Sequence, residues 1–139
     1  MIALSAIPAT AIRDVWPLVK PGLDKMLEQY KDRWIPEDVY LALSTGAAFL
    51  YLIDIEQETH GFMVLKNFAD TDGLALFVWV IYADPQMLKQ EDRYEEILSQ
   101  LDELARKVGA KRIRHYSHRG GWTAKKMFKL KMHIYEREV

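Results

Sequence analysis

The sequence predicts a single α+β domain in which helices pack against a sheet of mixed strand pairing. Apolar residues recur at helical spacing in the first third of the chain, and three apolar runs rich in β-branched and aromatic residues fill the middle third. The segment from Leu74 to His118 then has the order strand, helix, strand. A length of 139 residues and a mass of 16.2 kDa fit one domain that spans residues 1–139.

The amino-terminal third contains one long apolar stripe and then a shorter helix. The stripe recurs at steps of three and four residues through Ile12, Val15, Trp16, Val19, Leu23, Met26, Leu27 and Tyr30. Because proline removes a backbone donor and clashes one turn back, Pro17 and Pro21 predict a kink or two consecutive helices, the second starting near Pro21. A further short helix is expected to begin at Pro36 and to stop at Gly46.

The middle third is expected to form a three-stranded antiparallel meander. Its apolar runs, separated by turn-like segments, are Ala48 to Ile55, His60 to Phe68 and Leu74 to Ala83. The third run has no polar alternation, so both of its faces should be covered, as in a central strand with helices packed on the sheet.

The carboxy-terminal third begins with the clearest amphipathic helix. Its apolar positions run from Tyr94 to Val108, Asp92 and Glu95 resemble a capping box, and Gly109 supplies the stop. The expected elements after it are a strand from Lys111 to His118, a short helix from Gly121 to Lys129 and a last strand from Met132 to Val139. The strands on either side of the long helix should be parallel, because a crossover joins them.

Several classes of protein and site are excluded by composition. The chain has no cysteine, so disulfide scaffolds, thiolate zinc sites and cysteine nucleophiles are absent. The amino terminus lacks a basic region followed by a signal-length apolar stretch, and no segment approaches the roughly 20 apolar residues of a membrane span, so we expect a soluble, intracellular protein without a membrane partner. His115 and His118 should point to opposite faces of one strand, which argues against a shared metal site, and no metal is expected.

Two stretches near the carboxy terminus resemble a known family. They are Ala105-Arg106-Lys107-Val108-Gly109-Ala110 and His118-Arg119-Gly120-Gly121-Trp122, with Tyr135-Glu136 in the expected closing strand. Together with the order of elements, they resemble the GNAT family of acyl-CoA-dependent N-acyltransferases, and in particular short GNAT-like proteins of bacteriophages. The resemblance spans most of the chain. It implies a GNAT-like mixed sheet of about six strands flanked by helices, acetyl-CoA as co-substrate, and the cytoplasm of an infected host cell or the virion as location.

The resemblance also implies where a cofactor would bind. In the family, the pyrophosphate of acetyl-CoA lies on backbone amides of a glycine-containing turn at the start of the long helix. The corresponding stretch, Asp84 to Arg93, contains no glycine and carries three acidic residues that repel a diphosphate. The motif is therefore absent or remodelled, which argues against tight binding of acetyl-CoA. The residues that remain to hold its phosphates are Lys89, Arg93, Arg119, Gly120 and Gly121.

The family's proton-transfer groups are also altered. A family tyrosine on the short last helix donates a proton to the departing thiolate, but there is no tyrosine between Gly120 and Leu130. A general base is expected on the central strands, yet the run from Leu74 to Ala83 contains no carboxylate and no histidine. The catalytic candidates that remain are Asp84, His115 and His118.

These departures favour a GNAT-like phage protein with eroded acyl-transfer motifs that acts mainly by binding another protein, in virion assembly or against a host protein. Trp34 and Trp122 adjoin charged residues at element ends, so we expect them to be exposed and suited to anchor such a partner. The alternative is an active N-acetyltransferase that moves acetyl from acetyl-CoA to an amine acceptor.

One charge asymmetry stands out in a nearly neutral chain. The stretch from Lys111 to Tyr135 holds eight lysines and arginines and no acidic residue. It is suited to a phosphate-bearing ligand, an acidic protein surface or nucleic acid, or else it pairs with the acidic face between Asp84 and Glu103. A net charge of −1 and a pI near 6.4 argue against nucleic acid as the partner.

Overall fold

The computed structural model describes residues 2–30, 33–84, 91–116 and 135–139. In chain order its elements are β1 (Ile2–Ile7), a 3-10 turn (Ala9–Ala11), α1 (Ile12–Tyr30), α2 (Pro36–Thr45), β2 (Phe49–Ile55), β3 (Glu58–Asp70), β4 (Gly73–Ala83), α3 (Glu91–Lys107) and β5 (Arg112–His115). The strands form one sheet in the order β1-β2-β3-β4-β5, in which only the β4–β5 pair is parallel. The predicted α+β class, the meander and the parallel crossover are confirmed.

Each face of the sheet carries its own apolar core. The core under α3 includes Ile53, Met63, Leu65, Ile97, Leu101 and Ala105. The core under α1 and α2 includes Val19, Leu23, Val39, Leu43, Leu50 and Val64. β4 supplies Leu76 and Val78 to the first core and Val80 to the second, so both faces of this strand are covered, as its uninterrupted apolar sequence predicts.

The prolines of α1 do not divide it. The helix runs from Ile12 to Tyr30 with Pro17 and Pro21 inside, so the expected second helix starting near Pro21 is wrong. Both prolines are exposed, which places the carbonyl groups that lose their partners where water satisfies them. Val19 and Leu23 are fully buried on either side of Pro21, so one packed face holds the helix together across it.

The ends of the other two helices follow the sequence signals. α2 begins with Pro36 and is capped by Gly46, whose φ is +79°. Gly109 after α3 has the same φ, and its N–H donates to the Arg106 carbonyl oxygen at 3.2 Å. Glycine adopts this left-handed conformation without the steric cost that other residues meet. None of the helices in the described ranges has the length and apolar composition that spanning a membrane requires.

The sheet has five strands within the described residues, whereas about six were expected. β1 was not expected at all, and its open edge is covered by α3. The Ile2 N–H donates to Glu96 Oε1 at 2.8 Å, and Gln100 Nε2 donates to the Ile2 carbonyl oxygen at 2.7 Å. Of the expected strand from Met132 to Val139, residues 135–139 have no regular structure, and the rest lies outside the described residues.

Two other expectations concern the chain after α3. The strand expected from Lys111 to His118 is shorter, since β5 covers Arg112–His115. The short helix expected from Gly121 to Lys129 lies outside the described residues.

Candidate functional site

β4 extends beyond its short parallel ladder with β5. The ladder joins Ala75–Val78 to Arg112–His115, whereas β4 itself continues to Ala83. Beyond Val78, the described residues place no strand on the β5 side of β4. We call the space along this strand edge the gap, and the backbone N–H and C=O groups of alternate residues between 79 and 83 point into it.

A β-bulge in β4 lies at the start of this gap. Leu65 of β3 pairs with Val78, but Val64 pairs with Val80, so Trp79 is an extra residue in β4. A bulge of this kind bends the strand and increases its local twist. β4 is therefore bent next to Val78, the last residue of its ladder with β5.

His115 is the last residue of β5 and pairs with Val78 at the end of the β4–β5 ladder. Its Nδ1 is 3.0 Å from the Val78 carbonyl oxygen. Because a carbonyl oxygen only accepts hydrogen bonds, Nδ1 carries the hydrogen, and Nε2 is the acceptor nitrogen of the neutral ring. Burial lowers the pKa of His115 below its usual value of 6.5, and the hydrogen bond to Val78 opposes this effect. His115 is therefore mostly neutral at pH 7.

The α3 face of the gap is filled by protein. A cavity of about 10 Å³ lies beside His115 and is lined by Ile81, Ile97 and Leu101, among other side chains. Such a volume accommodates about one water molecule. The described side chains on this face therefore form an apolar wall beside His115.

The α1 face of β4 carries a much larger cavity. A volume of about 380 Å³ opens between α1 and the ends of β3 and β4. This lies in the range of about 300–1,000 Å³ that small-molecule sites occupy. Leu52 and Phe62 contribute apolar walls, and Lys25, His60 and Asp84 contribute ionisable groups. The cavity thus combines apolar surface with groups of both charges.

A second bulge places His60 at this cavity. Ile53 of β2 pairs with Gly61 of β3, but Asp54 pairs with Thr59, so His60 is an extra residue in β3. Bulges redirect side chains that would otherwise alternate strictly across a sheet. The position of His60 therefore depends on the pairing register of two strands.

The imidazole of His60 lies between two carboxylates. Its Nδ1 is 4.0 Å from Asp84 Oδ2, and its Nε2 is 3.7 Å from Glu58 Oε2. The Asp84 backbone N–H also donates to the His60 carbonyl oxygen at 2.8 Å, which ties the end of β4 to β3. The side chains of His60 and Asp84 are 31% and 47% exposed, so both groups meet solvent and ligands. The pair is able to attract an ammonium group and to accept a proton.

Two glycines allow the close packing beneath the cavity. A Cβ at Gly61 would overlap the Tyr82 carbonyl oxygen, and one at Gly22 of α1 would lie 2.7 Å from Phe62 Cε1. Phe62 and Tyr82 stack with their ring centroids 5.6 Å apart. Because neither glycine has a side chain, α1 approaches these rings closely and the cavity gains a rigid aromatic floor.

The predicted site residues are distributed unevenly over the described chain. Asp84 follows the end of β4, whereas His115 pairs with Val78 at its middle, and the two line cavities on opposite faces of the sheet, so they do not form one cluster. Arg93 lies in the first turn of α3 and is partly buried. The remaining predicted residues lie outside the described residues: His118, Lys89, Arg119, Gly120 and Gly121.

Two residues of the site were missed by sequence reasoning. His60 stands at the start of an apolar run, where nothing in the sequence marks a bulge. Lys25 lies on α1 among exposed polar residues and is brought to the cavity by the packing of the helix. Neither residue carries a local signal, because both positions are set by contacts between elements that are distant in sequence.

One surface expectation needs correction, and the pairing of the basic stretch is described in part. Arg114 of this stretch pairs with Asp72 in the β3–β4 turn at 3.3 Å, and five of the eight basic residues lie outside the described residues. Trp34, expected to be exposed, is partly buried and packs edge-on against Trp79 with ring centroids 6.3 Å apart. Within the described ranges, no group of three or more histidine, aspartate or glutamate side chains is arranged to hold a metal ion.

Comparison with known proteins gives a clear result for the fold. No protein-family model and no curated protein matches the chain. Among solved structures, it is similar to a ribosomal-protein-alanine N-acetyltransferase from Brucella melitensis biovar Abortus 2308, with a TM-score of 0.69, 13% identity, and 100% of this chain and 99% of that chain covered.

Two further structures agree. An aminoglycoside acetyltransferase from an uncultured soil metagenomic sample, in complex with trehalose, has a TM-score of 0.69 at 9% identity over 99% of this chain and 97% of its own. A possible acetyltransferase from Clostridium difficile 630 has a TM-score of 0.67 at 9% identity, with 100% of this chain and 98% of that chain covered. Identities this low establish shared architecture rather than shared activity. The mixed five-stranded sheet and its flanking helices therefore match the GNAT acetyltransferase fold.

Proposed function

We propose that this chain is an acyl-CoA-dependent N-acyltransferase, which moves an acyl group such as acetyl from a thioester to an amine. The observation that carries the proposal is the gap beside β4, where pairing with β5 stops at Val78 while β4 runs on to Ala83. At the same end of β4 lies a cavity with an imidazole, a carboxylate and an ammonium group. The acetyltransferases that share the fold support this class of reaction.

The edge of β4 fits the amide-bearing arm of acetyl-CoA. Residues 79–83 present backbone groups toward the gap, and the described residues place no strand against them. An extended ligand with amide groups pairs with such an edge as an added strand does. Acetyl-CoA bound there would supply an acyl group activated as a thioester. The fit supports acyl-CoA as co-substrate, with the phosphate-binding part of the site assigned to Lys89, Arg93 and the Arg119-Gly120-Gly121 turn.

The chain's own residues then act on the amine. Asp84 attracts the ammonium form of the acceptor, and the His60–Asp84 pair accepts one of its protons, which frees the nitrogen lone pair to form the C–N bond; the nitrogen's second proton passes to the departing sulfur. The C–S bond of the thioester breaks in the same exchange, and the thiol leaves. His115 is a positioning residue, because its hydrogen bond to the Val78 carbonyl oxygen secures the last pair of the β4–β5 ladder.

Calorimetric titration with acetyl-CoA tests the proposal directly. We expect a dissociation constant on the order of micromolar. Amide NMR shifts locate the ligand: Ile81 and Ala83, whose N–H groups face the open edge of β4, should shift strongly, whereas Ala75 and Phe77, in the part of β4 that is paired with both β3 and β5, serve as internal controls. Absence of binding at millimolar acetyl-CoA would contradict the proposal.

A second candidate function is protein binding on a fold whose acyl-transfer apparatus is eroded. The observation that favours it is the glycine-free stretch from Asp84 to Arg93, whose acidic residues oppose a diphosphate. Phe68 and Tyr116 are 41% and 51% exposed and provide aromatic surface that a partner protein would cover. No heat with acetyl-CoA, together with no thiol release across a panel of amines, would favour this candidate.

The biological setting follows from the resemblance alone. A short GNAT-like phage protein would act in the cytoplasm of an infected host cell or travel in the virion. Mass spectrometry of purified particles and of infected cells distinguishes the two locations, since a virion component copurifies with particles after density-gradient centrifugation.

A further inference from the structure

We propose that the cavity between α1 and the ends of β3 and β4 binds the acyl acceptor as a zwitterion, namely an α-amino acid with an apolar side chain. The chemistry of this inference rests on the proposed acyl transfer. The substrate class is inferred from the charged and apolar side chains that line the cavity.

The positive group of the cavity comes from the helix side. Lys25 of α1 lines the cavity and is exposed. The described residues place no carboxylate against its ammonium group, whereas the neighbouring Lys20 pairs with Asp24 at 3.0 Å. The Lys25 charge is thus directed to the cavity without an internal partner, as the recognition of a ligand carboxylate requires.

The negative group comes from the strand side. Asp84 follows β4 directly, lines the same cavity and is 47% exposed. Its carboxylate has two oxygens with about four acceptor positions, so the exposed part can accept from a ligand ammonium group alongside the His60 ring, whose Nδ1 lies 4.0 Å away. A ligand that spans from α1 to the end of β4 therefore meets a cation at one side and an anion at the other.

The remaining walls are apolar. Leu52 and Phe62 are buried beneath the cavity, and Leu18 at its rim is 61% exposed. The volume of about 380 Å³ is near the lower end of the range for ligand sites, which favours a single amino acid over a folded or extended partner. An apolar side chain would cover Leu18.

The cavity lies where transfer to its ligand is possible. Tyr82 and Asp84 belong to the end of β4 beyond Val78, the same part that borders the gap. An amine beside Asp84 would therefore lie close to a thioester held along this edge of β4. One ammonium proton passes to the His60–Asp84 pair, the nitrogen forms the C–N bond as the C–S bond breaks, and its second proton passes to the departing sulfur.

Three probes separate the charges of the ligand: L-phenylalanine has both, L-phenylalaninamide lacks the carboxylate, and 3-phenylpropanoate lacks the amine. Their dissociation constants are measured by NMR titration on the full chain without acetyl-CoA. We expect L-phenylalanine to bind about fivefold more tightly than either analogue, as partly exposed charge pairs allow. Equal affinity for L-phenylalaninamide would overturn the inference and would indicate a peptide amino terminus as acceptor.

Variants of α1 supply the matched control. Lys25→Met should remove the preference for L-phenylalanine over L-phenylalaninamide, while Lys20→Met, one turn away and outside the cavity, should retain it. Both positions meet solvent, so both variants are expected to fold. Equal preference in the two variants would refute the role of Lys25 and with it the zwitterion.

Titration without acetyl-CoA keeps this inference separable from the proposed function. If L-phenylalanine binds selectively but acetyl-CoA does not, the cavity is an amino-acid site and acyl transfer fails. If acetyl-CoA binds and amines are acetylated while none of the three probes binds, acyl transfer stands and the zwitterion is wrong.

Discussion

The two faces of β4 differ sharply at the end of the strand. On the α3 face, a cavity of about 10 Å³ lies beside His115, whose Nδ1–H is held by the Val78 carbonyl. On the α1 face, a cavity of about 380 Å³ lies beside His60, which stands between carboxylates and meets solvent. Opposite faces of β4 thus carry a histidine that a hydrogen bond holds in place, His115, and a histidine that is accessible to solvent, His60. Packing and hydrogen bonding, rather than residue type, decide which of the two is suited to proton transfer.

The largest effect is expected from filling the close contact under the larger cavity. Gly61→Ala places a methyl group against the Tyr82 carbonyl and Ala83 Cα, which are backbone atoms and cannot rotate away. We expect a loss of about 3 kcal/mol in the free energy of unfolding, typical of severe overpacking. Urea denaturation measures it.

The matched control is Gly46→Ala, where no atom lies within 4 Å of the added methyl group but φ is +79°. There only the backbone conformation is penalised, by about 1 kcal/mol. Equal losses at the two positions would mean that close packing does not shape the cavity floor.

The two histidines should differ in turnover. In a thiol-release assay, His60→Gln should lower kcat about 100-fold, because it removes the proton acceptor. His115→Gln keeps a hydrogen-bond donor for the Val78 carbonyl and should lower kcat only about threefold. A reversed order, with the larger loss at His115, would transfer the proton-accepting role to the α3 face.

How far the sequence predicts this arrangement depends on the range of the contacts involved. The meander, α2 and α3 are predicted because hydrophobic period and the glycines at positions 46 and 109 act locally. β1 escapes prediction because its short run, Ile2–Ile7, owes its place to Glu96 and Gln100 on a helix more than ninety residues away. Tertiary hydrogen bonds of this kind leave no periodic trace.

The candidate site is predicted less completely than the fold. Asp84 and His115 are identified because they remain as candidate bases once the run from Leu74 to Ala83 proves to contain none, and the structure puts them directly after β4 and in β5. His60 and Lys25 are not identified, because a bulge and the packing of a helix bring them to the cavity. Residues that depend on register are hidden until the pairing of the strands is known.

The buried histidine also predicts a pH dependence of stability. Because burial lowers the pKa of His115 in the folded chain below 6.5, the unfolded chain binds more protons in the window below pH 6.5. This contribution to stability is therefore present above pH 6.5 and is lost as the pH falls. Urea midpoints measured between pH 7.5 and pH 5 should fall less steeply for His115→Gln than for the original chain. Parallel curves would show that His115 is not the group responsible.

The smallest effect concerns the bulge that begins the gap. Lys66 Nζ lies 3.6 Å from the ring centroid of Trp79, the extra residue of β4. A cation over an aromatic face contributes about 0.5–1 kcal/mol, so Lys66→Met should destabilise the chain by about that amount. Hydrogen exchange gives the sharper measurement. If this contact holds the bulge, the amides of residues 79–83 lose protection in Lys66→Met while those of Ala75–Val78, secured by β3 and β5, keep it. A uniform loss of amide protection along β4 would contradict this role of the contact. It would mean that packing against the two apolar cores holds the bulge, and that the whole strand opens together.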